Sequence, residues 1–148
     1  MGVATMAAGF EFAYCMSGKA SPRVKAYPVK DSGDHSGGIL CNLETGEVDI
    51  AATSDAALLG LILEPELLTE NLANLSDTAS VMVIDDPDAV YKVTDLNARV
   101  AGATLDIGTG GASVATSSNV DLVVVRASSA TEKTHVRIVR SQHAYTAN

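Results

Sequence analysis

Three aspartates within four positions, Asp85, Asp86 and Asp88 around Pro87, are the densest group of reactive side chains in the chain. Carboxylates this close together can chelate calcium, or can push their pKa values apart for acid–base work. The spacing is not that of an EF-hand loop, which needs Gly at its sixth position and Glu at its twelfth. A solvated turn accounts for the same residues, because Pro presets a turn dihedral and Asp bonds its own backbone. The expectation is therefore a turn, with a weak cation site as the alternative and catalysis behind both.

No second reactive set forms. The run GTGG (108–111) invites a phosphate-cradle reading. A P-loop, however, needs GxxxxGK followed by Ser or Thr, and a dinucleotide site needs GxGxxG between a strand and a helix. ASVATSSN (112–119), which follows the glycines, does not make a good amphipathic helix either, and the expectation for both is a flexible or extended loop. His35, His135 and His143 are scattered, and no GxSxG elbow offers them a nucleophile. Cys15 and Cys41 stand far apart with no CxxC spacing, so two small buried thiols are expected; a bridge between them would need neighbouring strands. No catalytic residue, metal or cofactor is expected from these residues.

Composition narrows the field further. A net charge of −8 disfavours binding along a phosphate backbone. Trp is absent and aromatics make up 4%, which leaves few stacking platforms for sugars or single-stranded nucleic acid. Charged residues are 19%, under the usual share of about 25%. That fits either a surface partly covered by a partner or one rich in Ala, Ser and Thr. Arg23, Lys25, Lys30, Arg126, Arg137 and Arg140 lie on or beside strand-like segments and would make a basic patch if they converged; solvated strand faces are the default. The opening MGVATMAAGFEFAYCMSG has no basic residue ahead of its apolar part and contains Glu11, unlike a signal peptide. AALLGLIL (56–63) is too short to cross a bilayer. Neither nucleic-acid nor membrane contact is expected.

The elements that must position these groups are mostly strands. FEFAY (10–14), RVKAYPV (23–29), AVYKV (89–93) and THVRIVR (134–140) alternate apolar and polar residues with period two. Pro28 lacks an amide donor and places its segment at a sheet edge or strand end. ILCNL (39–43) and EVDIA (47–51) read as a hairpin with Gly46 at a positive-φ turn position. Leu58–Leu63 reads as a buried strand, SVMVI (80–84) and Thr104–Ile107 as further strands, and VDLVVVRA (120–127) as a strand covered on both faces. EPELLTENLANL (64–75) puts Leu67, Leu68, Leu72 and Leu75 at offsets of one helical face, as a short helix or long loop serving the core or a partner. Residues 1–9 read as an extended arm ahead of a single β-rich domain over 10–148, with SQHAYTAN (141–148) as a polar tail. The predicted fold class is all-β: a small antiparallel β-barrel or β-sandwich with at most one short helix.

The order of these pieces resembles the small capsid decoration (cement) proteins of tailed bacteriophages. The likeness lies in KDSGDHSGGILCNLETGEVDIA, AALLGLILEPE, SVMVIDDPDAVYKVTD, the glycine-rich passage and VDLVVVRA, and runs from Lys30 to Ala127. Leu67–Leu75 does not match the pattern. The resemblance implies a non-enzymatic virion protein, made in the host cytoplasm, that binds the outside of a phage head. It would do so as a homo-oligomer, a trimer or dimer, bridging major capsid protein subunits. The family brings no catalytic residues. Partner contacts are expected from the arm (Met1, Gly2, Val3, Ala4), from Phe10, and from Leu67, Leu68, Leu72 and Leu75. The rival readings are another virion β-module, from a tail or fibre, and a small cation-dependent binding domain.

Overall fold

Alternation of apolar and polar side chains produces strands almost wherever it occurs. The computed structural model describes residues 9–28, 37–51, 57–63, 80–95, 97–108, 111–116, 121–129 and 131–145. Among them the strands are β1 (Phe10–Cys15), β2 (Val24–Pro28), β3 (Leu40–Glu44), β4 (Glu47–Ile50), β5 (Leu58–Leu63) and β6 (Ser80–Ile84). They continue with β7 (Ala89–Thr94), β8 (Thr104–Ile107), β9 (Val114–Thr116), β10 (Leu122–Val124) and β11 (Lys133–Ile138), and a 3-10 turn follows at Arg140–Gln142. Met1, Gly2, Val3 and Ala4 of the expected arm, and Leu67, Leu68, Leu72 and Leu75, lie outside the described residues.

Among the described residues the strands form two antiparallel sheets and no closed barrel. A six-stranded sheet runs β1-β7-β11-β10-β8-β9, and a five-stranded sheet runs β2-β6-β5-β3-β4. Phe10, Tyr91, Val93, Leu105, Leu122, Val136 and Ile138 from the first sheet meet Leu40, Leu58, Leu61 and Ile84 from the second in one core. Each such side chain, fully buried, contributes roughly 1.5–3 kcal/mol through removal of apolar surface from water. The five-stranded sheet has a second buried face, made by Tyr27, Ile39, Cys41, Val48, Leu59, Ile62, Val81 and Val83. Its end strands β2 and β4 lie against each other although neither is hydrogen-bonded to the other in the strand order. The sheet is curled around this second core and remains open.

Local chemistry sets the details. Thr45 (φ +53°) and Gly46 (φ +83°) make the two-residue turn between β3 and β4, the mirror-image turn whose twist suits a hairpin. Gly60 sits where β5 shifts register against β3. A Cβ there would stand 1.8 Å from the Ile84 carbonyl oxygen, so only glycine lets the backbones approach this closely.

Three expectations are corrected. VDLVVVRA supplies only the short strand β10, with Leu122 and Val124 buried and Val123 half-buried on the outer face. Val114–Thr116 pairs with β8 as β9 instead of forming loop. The described part of the polar tail is built into the fold: His143 is 1% exposed, forms a parallel bridge with Leu58, and is followed by an Ala144 amide bonded to the Leu58 carbonyl at 2.7 Å.

Every sheet edge is guarded. β2 ends in Pro28 and carries Lys25. β4 carries Glu47 and Asp49, and Asp49 Oδ1 takes the Ile50 amide at 2.9 Å. β1 has a register shift between Phe12 and Tyr14, and its Phe10 amide donates to the Gly38 carbonyl at 2.8 Å. β9 has 3 residues. Short, charged, bulged or proline-containing edges resist pairing with another chain.

Candidate functional site

The turn between β6 and β7 is where the sequence concentrated its carboxylates, and the structure encloses them. Asp85 is 1% exposed and Asp86 5%, so the expectation of a solvated turn is overturned. An ionised carboxylate is tolerated at such burial only when donors surround it. Asp86 Oδ1 accepts the Asp88 amide at 3.0 Å. Asp86 Oδ2 accepts the Arg23 amide at 2.9 Å and the Lys19 ammonium at 2.6 Å. Burial pushes the Asp86 carboxyl up, but Lys19 and the two amides outweigh it and hold the group below its usual range. Asp88 takes the Ser17 hydroxyl at 2.6 Å and the Ser17 amide at 3.1 Å.

Asp85 points the other way. Its Oδ1 accepts Arg23 Nε at 2.8 Å, and its Oδ2 accepts the Tyr27 hydroxyl at 2.6 Å. The Tyr27 and Tyr145 oxygens are 2.6 Å apart. Because the Tyr27 hydrogen goes to Asp85, Tyr145 donates to Tyr27. Burial, then the bonds to Asp85 and Tyr145, raise the Tyr27 phenol far above its ordinary value. The Arg23 guanidinium lies 5.1 Å over the Tyr145 ring, a cation–π contact. The Tyr145 amide donates to His143 Nδ1 at 3.1 Å. Burial, and after it the charge of Arg23, lowers the His143 pKa to about 4. The ring is thus neutral at pH 7 and carries its proton on Nε2, an atom with no hydrogen-bond partner among the described residues.

This network ties the C-terminal segment, β2 and the β6–β7 turn into one knot. Its carboxylates face donors of the same chain, its phenol is held protonated, and its histidine is neutral and enclosed. Such a constellation fixes backbone geometry; it offers no free base or nucleophile. Sequence reasoning singled out the aspartates but missed Ser17, Lys19, Tyr27, His143 and Tyr145. The available signal was the placing of two aromatic rings, His143 and Tyr145, two positions apart in a stretch read as tail.

The remaining candidates separate. Phe10, expected at a partner contact, is 2% exposed and belongs to the core between the sheets. Cys15 and Cys41 are free, buried thiols, both raised first by burial. Of the glycine run, Gly108 and Gly111 are described: the Gly108 amide bonds the Ser113 carbonyl at 2.8 Å, and the Gly111 amide bonds the Gly108 carbonyl at 3.1 Å. Those amides are therefore not directed at a phosphate. His135 faces outward on β11 with Tyr14 against its ring, and His35 lies outside the described residues. Of the six basic residues, Arg23 is bound to Asp85, Lys25 lies 5.5 Å over the Tyr27 ring, and Lys30 is outside the described residues. Arg137 and Arg140 converge on the outer face of the six-stranded sheet, where they line two adjoining hollows of about 280 and 320 Å³. Among the described residues no group of three potential metal ligands comes together. Compared with known proteins, the chain matches no protein-family model, and no curated protein resembles it at a level above chance.

Proposed function

We propose that this chain is a structural protein of a phage virion, which binds the outer surface of the head and braces neighbouring major capsid protein subunits. The observation that carries the reading is the knot at Asp85, Asp86 and Asp88, whose carboxylates all serve to clamp the chain. The guarded edges add to it. A module displayed in many copies at high local density must not add strand to strand, and short, charged or proline-ended edges suit that demand. Bracing follows from linkage: a domain bound across two subunits must be released before they part, so its binding free energy becomes shell stability. Repetition over a symmetric shell multiplies a modest interface.

The test is the thermal stability of empty, expanded heads assembled from the companion capsid protein, with and without the purified chain. Saturating protein raises the melting temperature of the heads if the reading is right. An unchanged melting temperature, with no chain co-sedimenting with the heads, overturns it.

A further inference from the structure

We infer that the outer face of the six-stranded sheet receives the β3–β4 hairpin of a second copy of this chain, so that copies join head to tail. The inference goes beyond the reading above and needs no shell. Lys92, Arg126, Lys133, Arg137 and Arg140 are half of the ten basic residues of an acidic chain. The register places Lys92 across from His135, and Arg137 across from Val123, on the face turned away from the core. Arg126 belongs to the same field, since its charge and that of Lys92 act on His135, whose ring is kept neutral first by burial. Glu11 engages Lys133 at 2.6 Å and Lys92 at 3.7 Å. Among the described residues no carboxylate pairs with Arg126 or Arg137.

Arg137 stands between the two hollows. One is lined by Met16, Asp86, Pro87 and Asp88, whose carboxylates disfavour further acidic groups, and the other by Thr104, Val123, Val139 and Ser141. The second, an apolar floor with guanidinium and hydroxyl groups at the rim, suits a short turn that carries carboxylates. The chain has such a turn. Glu44 lies directly across from Glu47, and Asp49 across from Asn42, which puts three carboxylates on one side of the hairpin. Like charges directly opposite each other destabilise a sheet. Among the described residues no lysine or arginine pairs with Glu47 or Asp49. Glu47 and Asp49 thus present carboxylates complementary to the arginine face of the next copy.

Two basic faces repel each other, and so do two acidic hairpins, so the contact sets unlike patches together. Made once per pair of copies, such a contact is heterologous and yields a ring or an open chain; made reciprocally, it closes a two-fold dimer.

Sedimentation velocity on the intact purified chain, at about 50 mM and about 0.5 M salt, tests the inference. We expect concentration-dependent association at low salt that weakens by about tenfold or more at high salt. Arg137→Glu and Glu47→Arg each weaken it by about tenfold or more, with the thermal midpoint of the monomer retained. The exposed position gives a second variant, Arg126→Glu, with the same outcome should Arg137→Glu fail to fold. Mixing the Arg137→Glu chain with the Glu47→Arg chain restores association, because each variant then meets its complement. A monomer at every concentration, association indifferent to salt and to these variants, or a mixture that fails to restore it would overturn the inference. No shell enters the assay, so its failure leaves head binding to be decided by the melting experiment. A chain that associates but does not bind heads overturns only the virion reading.

Discussion

The β6–β7 turn and the β3–β4 hairpin put the same acidic side chains to opposite uses. In the turn, Asp85 and Asp86 are nearly inaccessible and meet donors from Arg23, Tyr27, Lys19 and backbone amides. In the hairpin, Glu44 is exposed, Glu47 and Asp49 are half-buried, and Glu44 and Glu47 face each other. Burial forces a carboxylate to find partners within its own chain, and a carboxylate so satisfied has nothing left for a ligand. At the surface, water solvates Glu47, which pairs with no lysine or arginine among the described residues and keeps its capacity to bind. The cluster most suggestive in the sequence is thus the structural one, while recognition falls to surface charges that no motif marks.

The largest effect expected from breaking this contrast is at Asp85. Asp85→Ala leaves the buried Tyr27 hydroxyl without its acceptor and Arg23 without its partner, and should cost about 4 kcal/mol. Equilibrium urea unfolding would show it as a lower midpoint at unchanged slope. A midpoint within error of the parent would mean that the knot does not hold the fold.

Next comes His143. Its folded pKa, about 4, lies below the ordinary unfolded value of about 6.5. Above pH 6.5 both states are neutral and the stability is fully present. As pH falls from 6.5 towards 4 the unfolded state takes up a proton that the folded state refuses, and up to about 3 kcal/mol is lost. Asp86 acts in a lower window: its depressed pKa stabilises the fold above the unfolded carboxyl value, and that share disappears only as pH drops through the folded value. A His143→Leu variant should therefore show a flatter stability profile between pH 7 and pH 5, with the loss at lower pH retained. Equal slopes for parent and variant would disprove the assignment. Tyr145→Phe removes only the hydroxyl donated to Tyr27 and should lower stability by about 1 kcal/mol, read from the same urea titration.

The strands were legible because alternation and short apolar runs are short-range signals that survive packing: the alternating segments at 10–14, 89–93 and 134–138 and the apolar run at 58–63 are strands in the structure. The hairpin at Thr45–Gly46 was legible because only certain turns tolerate positive φ at both positions. What the sequence hid were long-range partnerships. Arg23 reaches Asp85 across 62 positions, and Tyr27 reaches Tyr145 across 118; neither has a local signature. Without them a row of aspartates looks like a solvated turn, and Ser141–Tyr145 looks like part of a tail. β9 was missed because Val114–Thr116 is a strand only by virtue of β8 beside it. Phe10 looked available at the end of an arm, but its register opposite Val93 turns it into the core.

The smallest predicted effect lies at the hairpin and bears most directly on what its charges do. Glu47→Gln keeps the shape and hydrogen-bonding capacity of the side chain and removes one of two carboxylates that face each other across β3 and β4. Cross-strand like charges are unfavourable by some tenths of a kcal/mol up to about 1 kcal/mol. Exposure and salt push the figure to the low end. The isolated chain should therefore become more stable by about 0.3 kcal/mol at low salt, with the gain vanishing as salt screens the pair. The sign matters more than the size, because a charge that destabilises the molecule carrying it has no compensating partner inside it. If Glu47→Gln instead lowers the urea midpoint by as much as Tyr145→Phe does, the carboxylate has an internal partner, and the hairpin belongs with the turn after all.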